Sequence, residues 1–210
     1  IHVGKSFALP GAPDDGHLAV TEVQYLDHEP ESYLIGLAVC EGKDATALER
    51  DHPHALIART LRPSGQPGVL YDALALAKHG PALRALLRGS EPVVGEDGQL
   101  VATTAPGAAP DLLELEVPIS APALEQTNST FIFGDRALLK VYRLIEEGES
   151  VEVEMGNYLC NALEQPIAPR MGTTLELRVP GRPDATLAAL QQFVPNQGDA
   201  WHLALDWLGR

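Results

Sequence analysis

Residues 128–143, NSTFIFGDRALLKVYR, constrain the fold of this chain more than any other stretch. STFIF and RALLKVYR are rich in β-branched, aromatic and aliphatic residues, and they flank Gly134-Asp135, a pair that tolerates positive φ. The pattern predicts a β-hairpin with a two-residue turn. Such a turn sets Phe133 opposite Arg136, Phe131 opposite Leu138 and Ser129 opposite Lys140. Strand side chains alternate between faces, so Ser129, Phe131, Leu138, Lys140 and Tyr142 are expected on one face. An ammonium there, beside the polar loop EQTNS (125–129), suits a phosphate, and its apolar neighbours suit a nucleobase.

The next segment, ESVEVEMGNYLCNALEQP (149–166), has helical spacing. Val151, Met155, Tyr158, Leu159 and Ala162 fall on one face, with Ser150 as N-cap and Pro166 as stop. Glu154 flanks that stripe and is the expected counter-charge for Lys140. Gly156 would let the helix approach the sheet. The plain structural alternatives are an edge-strand lysine reaching to water and a glutamate on a solvated helix flank. TTLELRV (173–179), the turn PGRPD and ATLAALQQFV (185–194) predict a second hairpin. PNQGD (195–199) is a break, and Asp199 caps a last helix carrying Trp201, Leu205 and Leu208.

The first half predicts a small α+β unit. Strands are expected over 17–26, 32–40, 54–60 and 99–105, and VLYDALALAKHGPALRALLRG (69–89) predicts two short helices broken at Gly80-Pro81. APGAAPD (105–111) is the expected linker. The division is therefore 1–110, 111–198 and a last piece, 199–210.

Composition narrows the function classes. The chain has 210 residues and a formal net charge of -14, so its mean field repels nucleic acid and anionic membranes. An anionic ligand needs a local cation or a divalent metal. Two cysteines, Cys40 and Cys160, make neither a disulfide framework nor a zinc motif and predict free thiols in a reducing cytoplasm. No run approaches the roughly 18 apolar residues of a membrane span, and no leader pattern opens the chain. A start at Ile1 suggests a piece of a longer protein. His52 and His54 predict a polar loop, and Gly4-Lys5-Ser6 lacks the preceding glycine of a phosphate loop. Trp201 and Trp207 suit packing better than sugar stacking.

Taken together, QTNSTFIFGDRALLKVYR, VEVEMGNYL and LQQFVPNQGDAW resemble the N-terminal region of bacterial maltokinases, a module often fused behind a trehalose synthase (maltose glucosyltransferase) domain. VQYLDHEPESYLIGLAV and LYDAL resemble that family's N-terminal cap, and the resemblance spans about residues 17–208. It implies an α+β chain: a cap subdomain of small antiparallel sheet and helices, then a protein-kinase-like N-lobe of antiparallel sheet and one crossing helix. It also implies transfer of the γ-phosphoryl group of ATP to maltose, giving maltose 1-phosphate.

By that resemblance Lys140 pairs with the ATP α/β-phosphates and Glu154 holds it. Gln126, Thr127, Asn128 and Ser129 form the loop over the phosphates, without the glycines of typical kinases. Gln192, Phe193 and Val194 form the adenine hinge, and Asn196, Gln197, Gly198 and Asp199 lead toward a second lobe. ATP and Mg²⁺ are the implied cofactors of the full-length protein. The catalytic Asp and the metal ligands belong to the second lobe; no histidine in this chain has an Asp two places on. The chain alone is expected to be inactive. The alternative is a non-catalytic module that docks on a trehalose synthase or other α-glucan enzyme.

Overall fold

The computed structural model describes residues 2–61, 65–104, 112–113, 116–122, 127–161, 167–196 and 200–209. The chain is a mixed α+β fold: two antiparallel sheets and few helices. The first sheet contains β1 (His2–Ala8), β2 (His17–Val23), β3 (Glu31–Glu41), β4 (Leu56–Leu61) and β5 (Pro67–Asp72), in the order β1-β2-β3-β5-β4. The second contains β6 (Val93–Gly95), β7 (Gly98–Thr104), β8 (Ile119–Ser120), β9 (Asn128–Phe133), β10 (Ala137–Tyr142), β12 (Met171–Arg178) and β13 (Ala185–Gln192). Its order is β6-β7-β12-β13-β10-β9-β8. A short strand, β11 (Leu144–Ile145), joins the first sheet by pairing with β3. The α-helices are α1 (Gly42–Asp51), α2 (Gly80–Arg88), α3 (Val151–Asn161) and α4 (Ala200–Leu208).

Strand β3 carries the period of two that defines a half-buried strand: Leu34, Gly36, Ala38 and Cys40 are buried, and the residues between them are half-exposed. Its N-terminal part pairs with β2 on one edge and β11 on the other; its C-terminal part pairs with β5. Gly36 is the point of closest approach. A Cβ there would stand 2.6 Å from the Leu74 backbone nitrogen and 2.8 Å from Leu74 Cγ.

Two expectations need correction. Residues 69–89 are not two helices. Buried Val69 and Tyr71 alternate with half-exposed Leu70 in strand β5, and short 3-10 turns (Ala73–Ala75 and Ala77–His79) follow. Gly80-Pro81 then starts α2 instead of breaking a helix. Proline in the first turn loses no hydrogen bond, because the N–H it lacks has no helical partner there. Nor do the sheets divide at residue 110. Strands β6 and β7 belong to the second sheet, with β7 paired along β12 from Thr104↔Thr173 to Gln99↔Arg178. The expected linker, 105–111, lies outside the described residues. One interior serves both sheets: Phe7, Leu18, Val20 and Leu34 pack in the same cluster as Phe131, Phe133, Leu139, Val141, Leu175 and Leu187.

A polar network runs from buried Tyr71 and His79 out to half-buried Asp14 and exposed Lys78 on the first sheet. Tyr71 is fully buried, and its hydroxyl donates to Asp14 Oδ2 at 2.6 Å. Lys78 Nζ donates to the same oxygen at 2.6 Å. These bonds hold Asp14 at φ 57 beside Asp15 at φ 49, both in the left-handed region that costs an ordinary residue energy. The Tyr71 proton goes to Asp14, so His79 Nε2 carries its own proton and donates to the Tyr71 oxygen at 2.9 Å. His79 Nδ1 is buried without a partner beside Gly16. Burial above all pushes His79 down to a pKa of about 4.

Gly36→Ala is expected to lower stability by about 1–3 kcal/mol or more, since backbone must move; a urea titration measures it. His79 stays neutral in the folded chain, while the unfolded chain takes up a proton near pH 6.5. Its contribution is therefore complete above that pH and is lost as pH falls toward 4, at up to about 1.4 kcal/mol per pH unit. Urea midpoints between pH 7 and pH 4.5 should show this slope, reduced in His79→Gln.

Candidate functional site

The hairpin that carries Lys140 turns on three residues. Gly134 takes φ 58, and its N–H donates to Pro118 O at 2.8 Å. The Arg136 N–H donates to Phe133 O at 3.1 Å. The pairs are Phe133↔Ala137, Phe131↔Leu139, Thr130↔Lys140 and Ser129↔Val141, one residue from the expected register. Lys140 consequently shares its face with Asn128, Thr130, Ile132, Leu138 and Tyr142. Phe131 lies on the opposite face, fully buried with Leu139 and Val141. Ser129 is on that reverse face too. Its hydroxyl accepts from Arg143 Nε at 3.0 Å and Nη2 at 2.7 Å, so it is turned away from Lys140.

Helix α3 crosses the Lys140 face. Val153 is buried against Met171 of β12, Ala189 of β13 and Tyr142. A Cβ on Gly156 would stand 2.8 Å from Met171 Sδ, so this glycine does bring the helix close to the sheet. That contact chooses the helix phase. The apolar residues expected to face inward, Val151, Met155 and Tyr158, are exposed instead. The helix start is fastened from behind: Ser150 N–H donates to Thr186 Oγ1 at 3.1 Å, and Ser150 O accepts from the Val153 and Glu154 amides at 2.9 and 3.0 Å.

This phase makes Glu152, not Glu154, the counter-charge of Lys140. The ammonium donates to Glu152 Oε2 at 2.6 Å, and the Tyr142 hydroxyl donates to the same oxygen at 3.2 Å. Glu154 is exposed on the helix. Burial first, and then Glu152, push the Tyr142 phenol up to about 12. Lys140 and Glu152 keep 28% and 39% of their side-chain surface exposed, so the pair contributes well under about 1 kcal/mol to stability. The ammonium is thus oriented and still open to solvent.

Of the loop residues, Gln126 lies outside the described residues, Thr127 is exposed, and Asn128 opens β9 opposite Tyr142. Thr130, directly opposite Lys140, was not among the expected site residues; a three-residue count for the turn would have found it. Strand β13 runs beside β10, with Ala189 opposite Lys140 and Gln191 opposite Leu138. It leads straight into residues 192–194. There the Gln192 and Phe193 amides are committed to the sheet, donating to Arg170 O at 2.8 Å and Arg136 O at 2.9 Å. Val194 is exposed, and its carbonyl accepts from Asn196 Nδ2 at 3.1 Å. Gln197, Gly198 and Asp199 lie outside the described residues.

The remaining features are plain. The His52 and His54 rings meet edge to face, 5.9 Å apart. Among the described residues no three His, Cys, Asp or Glu side chains gather as a metal site. Cys40 and Cys160 are free thiols. Among the described residues no helix is long and apolar enough to cross a membrane.

No protein-family model matches the sequence. Among solved structures, the chain is similar to a glucosamine kinase in complex with glucosamine, ADP and inorganic phosphate, with 16% sequence identity and a TM-score of 0.48. The match covers 98% of this chain and 40% of that one, so the chain spans two-fifths of the length of the structure it matches.

Lysine footprinting by acylation and mass spectrometry tests the pairing directly. Glu152→Gln should raise the labelling of Lys140 roughly two- to fivefold, the scale of an ion pair worth under about 1 kcal/mol. Glu154→Gln should leave it unchanged.

Proposed function

We propose that this chain is the nucleotide-binding N-terminal part of an ATP-dependent sugar kinase of maltokinase type, which converts ATP and maltose to ADP and maltose 1-phosphate. One observation carries the reading: Lys140, on the third strand of the β8-β9-β10 meander, is ion-paired to a glutamate in the first turn of the helix that follows. A lysine on the third strand paired with a helix glutamate is the arrangement that positions ATP phosphates in protein kinases. The strand order supports it as well, because the hairpin after the helix returns β13 beside β10 and delivers residues 192–194 to the end of the same face.

In this reading the Lys140 ammonium meets the α/β-phosphates and Glu152 holds it. Asn128 and Thr130 flank the phosphates from the neighbouring strand. Ile132 and Leu138 offer an apolar roof to adenine, and residues 192–194 read its edge. The transfer is a displacement: an acceptor hydroxyl oxygen bonds to the γ-phosphorus as the bond to the bridging oxygen of ADP breaks, and the hydroxyl proton passes to an aspartate. That aspartate and the ligands of Mg²⁺ have no counterpart among the residues of this site. The proposal therefore includes a second lobe that supplies them, and the 210 residues alone should bind ATP weakly without turnover. Exposed Leu203, Leu205, Trp207 and Leu208 on α4 fit such a neighbour.

The same exposed helix favours a second reading, a non-catalytic module that docks on an α-glucan enzyme such as trehalose synthase. Turnover separates the two. The intact protein should phosphorylate maltose from Mg·ATP, and Lys140→Met should lower kcat/KM by about 100-fold or more. Absence of ATP-dependent phosphorylation, together with co-purification with a trehalose synthase domain, would replace the first reading with the second.

A further inference from the structure

We infer that Arg143 couples the first sheet to the Lys140 face, so that Asp72 acts as a positioning residue for nucleotide binding although it lies on the other sheet. The inference rests on the kinase reading above. Lys140 and Arg143 lie at the same end of β10 and point to opposite sides of the sheet. Arg143 Nη2 donates to Asp72 Oδ2 at 2.6 Å, and Nη1 to Asp72 Oδ1 at 3.3 Å and to Leu34 O at 3.4 Å. With its two bonds to Ser129 Oγ, every nitrogen of the guanidinium is engaged. Its backbone takes part too, because Arg143 O accepts from the Leu34 N–H at 2.8 Å. Asp72 is itself fixed: its Oδ1 accepts from the Leu74 N–H at 3.0 Å, and the Leu74 backbone seats on Gly36.

Ser129 stands between Asn128 and Thr130, the two residues of β9 that share the Lys140 face. An alternating strand cannot shift one of the three without the others. The clasp behind β9 therefore sets where Asn128 and Thr130 stand in front of it. Asp72 and Arg143 keep only 22% and 23% of their side-chain surface exposed, so solvent screens the pair little. The planar fork grips the carboxylate through two N–H edges while its third nitrogen holds the hydroxyl, a fixed geometry that a lysine ammonium does not reproduce.

The test measures Mg·ATP binding by calorimetry, with KM and kcat, on the intact protein. Asp72→Asn leaves an oxygen for Leu74, and Ser129→Ala removes one hydroxyl; each should weaken ATP binding by up to about tenfold, raising KM more than it lowers kcat. The double variant should be no weaker than the weaker single, because both act through one guanidinium. Arg143→Lys should weaken ATP binding as well, although it keeps the charge. Tyr71→Phe disturbs the same sheet through Asp14, leaves the clasp intact and should bind ATP normally. Unchanged affinity in Asp72→Asn, where binding is present and lost in Lys140→Met, overturns the coupling and leaves the kinase reading standing. Equal losses in Asp72→Asn and Tyr71→Phe reduce the clasp to general stability and also overturn it. Absence of ATP binding by the unmodified protein removes the kinase reading and the coupling with it.

Discussion

Lys140 can stand on a half-open face because the other side of its strand is full. Phe131, Phe133, Leu139 and Val141 bury against side chains from the first sheet in a single interior. Burying each is worth about 1.5–3 kcal/mol. A slip of one residue between β9 and β10 would keep Phe131 and Phe133 inside, turn Leu139 and Val141 outward, and drive Leu138 and Lys140 inward. No preference of a Gly-Asp pair for a two-residue turn competes with that, so the turn takes an extra residue and the apolar face wins. The orientation of the ammonium is thus a by-product of packing on the far side of the sheet.

This explains what was legible in the sequence and what was not. Runs of β-formers flanking a turn are local signals, and the β9-β10 and β12-β13 hairpins could be read from them, while the β6-β7 hairpin was not. Register is decided between sheets, so Ser129 and Thr130 exchange faces relative to expectation. Helix α3 fails in the same way. Its sequence offers two stripes, one through Val151, Met155 and Tyr158 and one through Val153 and Gly156. Counting apolar residues selects the first. A glycine that admits Met171 selects the second, and with it Glu152 over Glu154. Residues 69–89 misled for another reason: tertiary pairing with β3 and β4 overrode a leucine- and alanine-rich composition that reads as helix.

The two cations at the end of β10 divide the work of an acidic chain. With a net charge of -14, long-range attraction cannot gather an anion. In the kinase reading proposed above, recognition has to be local, from a cation whose position is held by its surroundings. Glu152 and Tyr142 orient Lys140 on one side, while Asp72 and Ser129 hold Arg143 on the other. The four-residue span 140–143 thus carries both cations, each tied from its own side of the sheet.

The passage of β6 and β7 into the second sheet bears on how such a protein could arise or be taken apart. A cut in the Pro- and Gly-rich stretch after Thr104 looks natural on paper. It would strip β12 of its neighbour along most of its length and leave an open edge ready to pair with another chain. The two halves are therefore not interchangeable cassettes: whatever carries the front part elsewhere carries the edge of the rear sheet with it and leaves that strand in need of another cover.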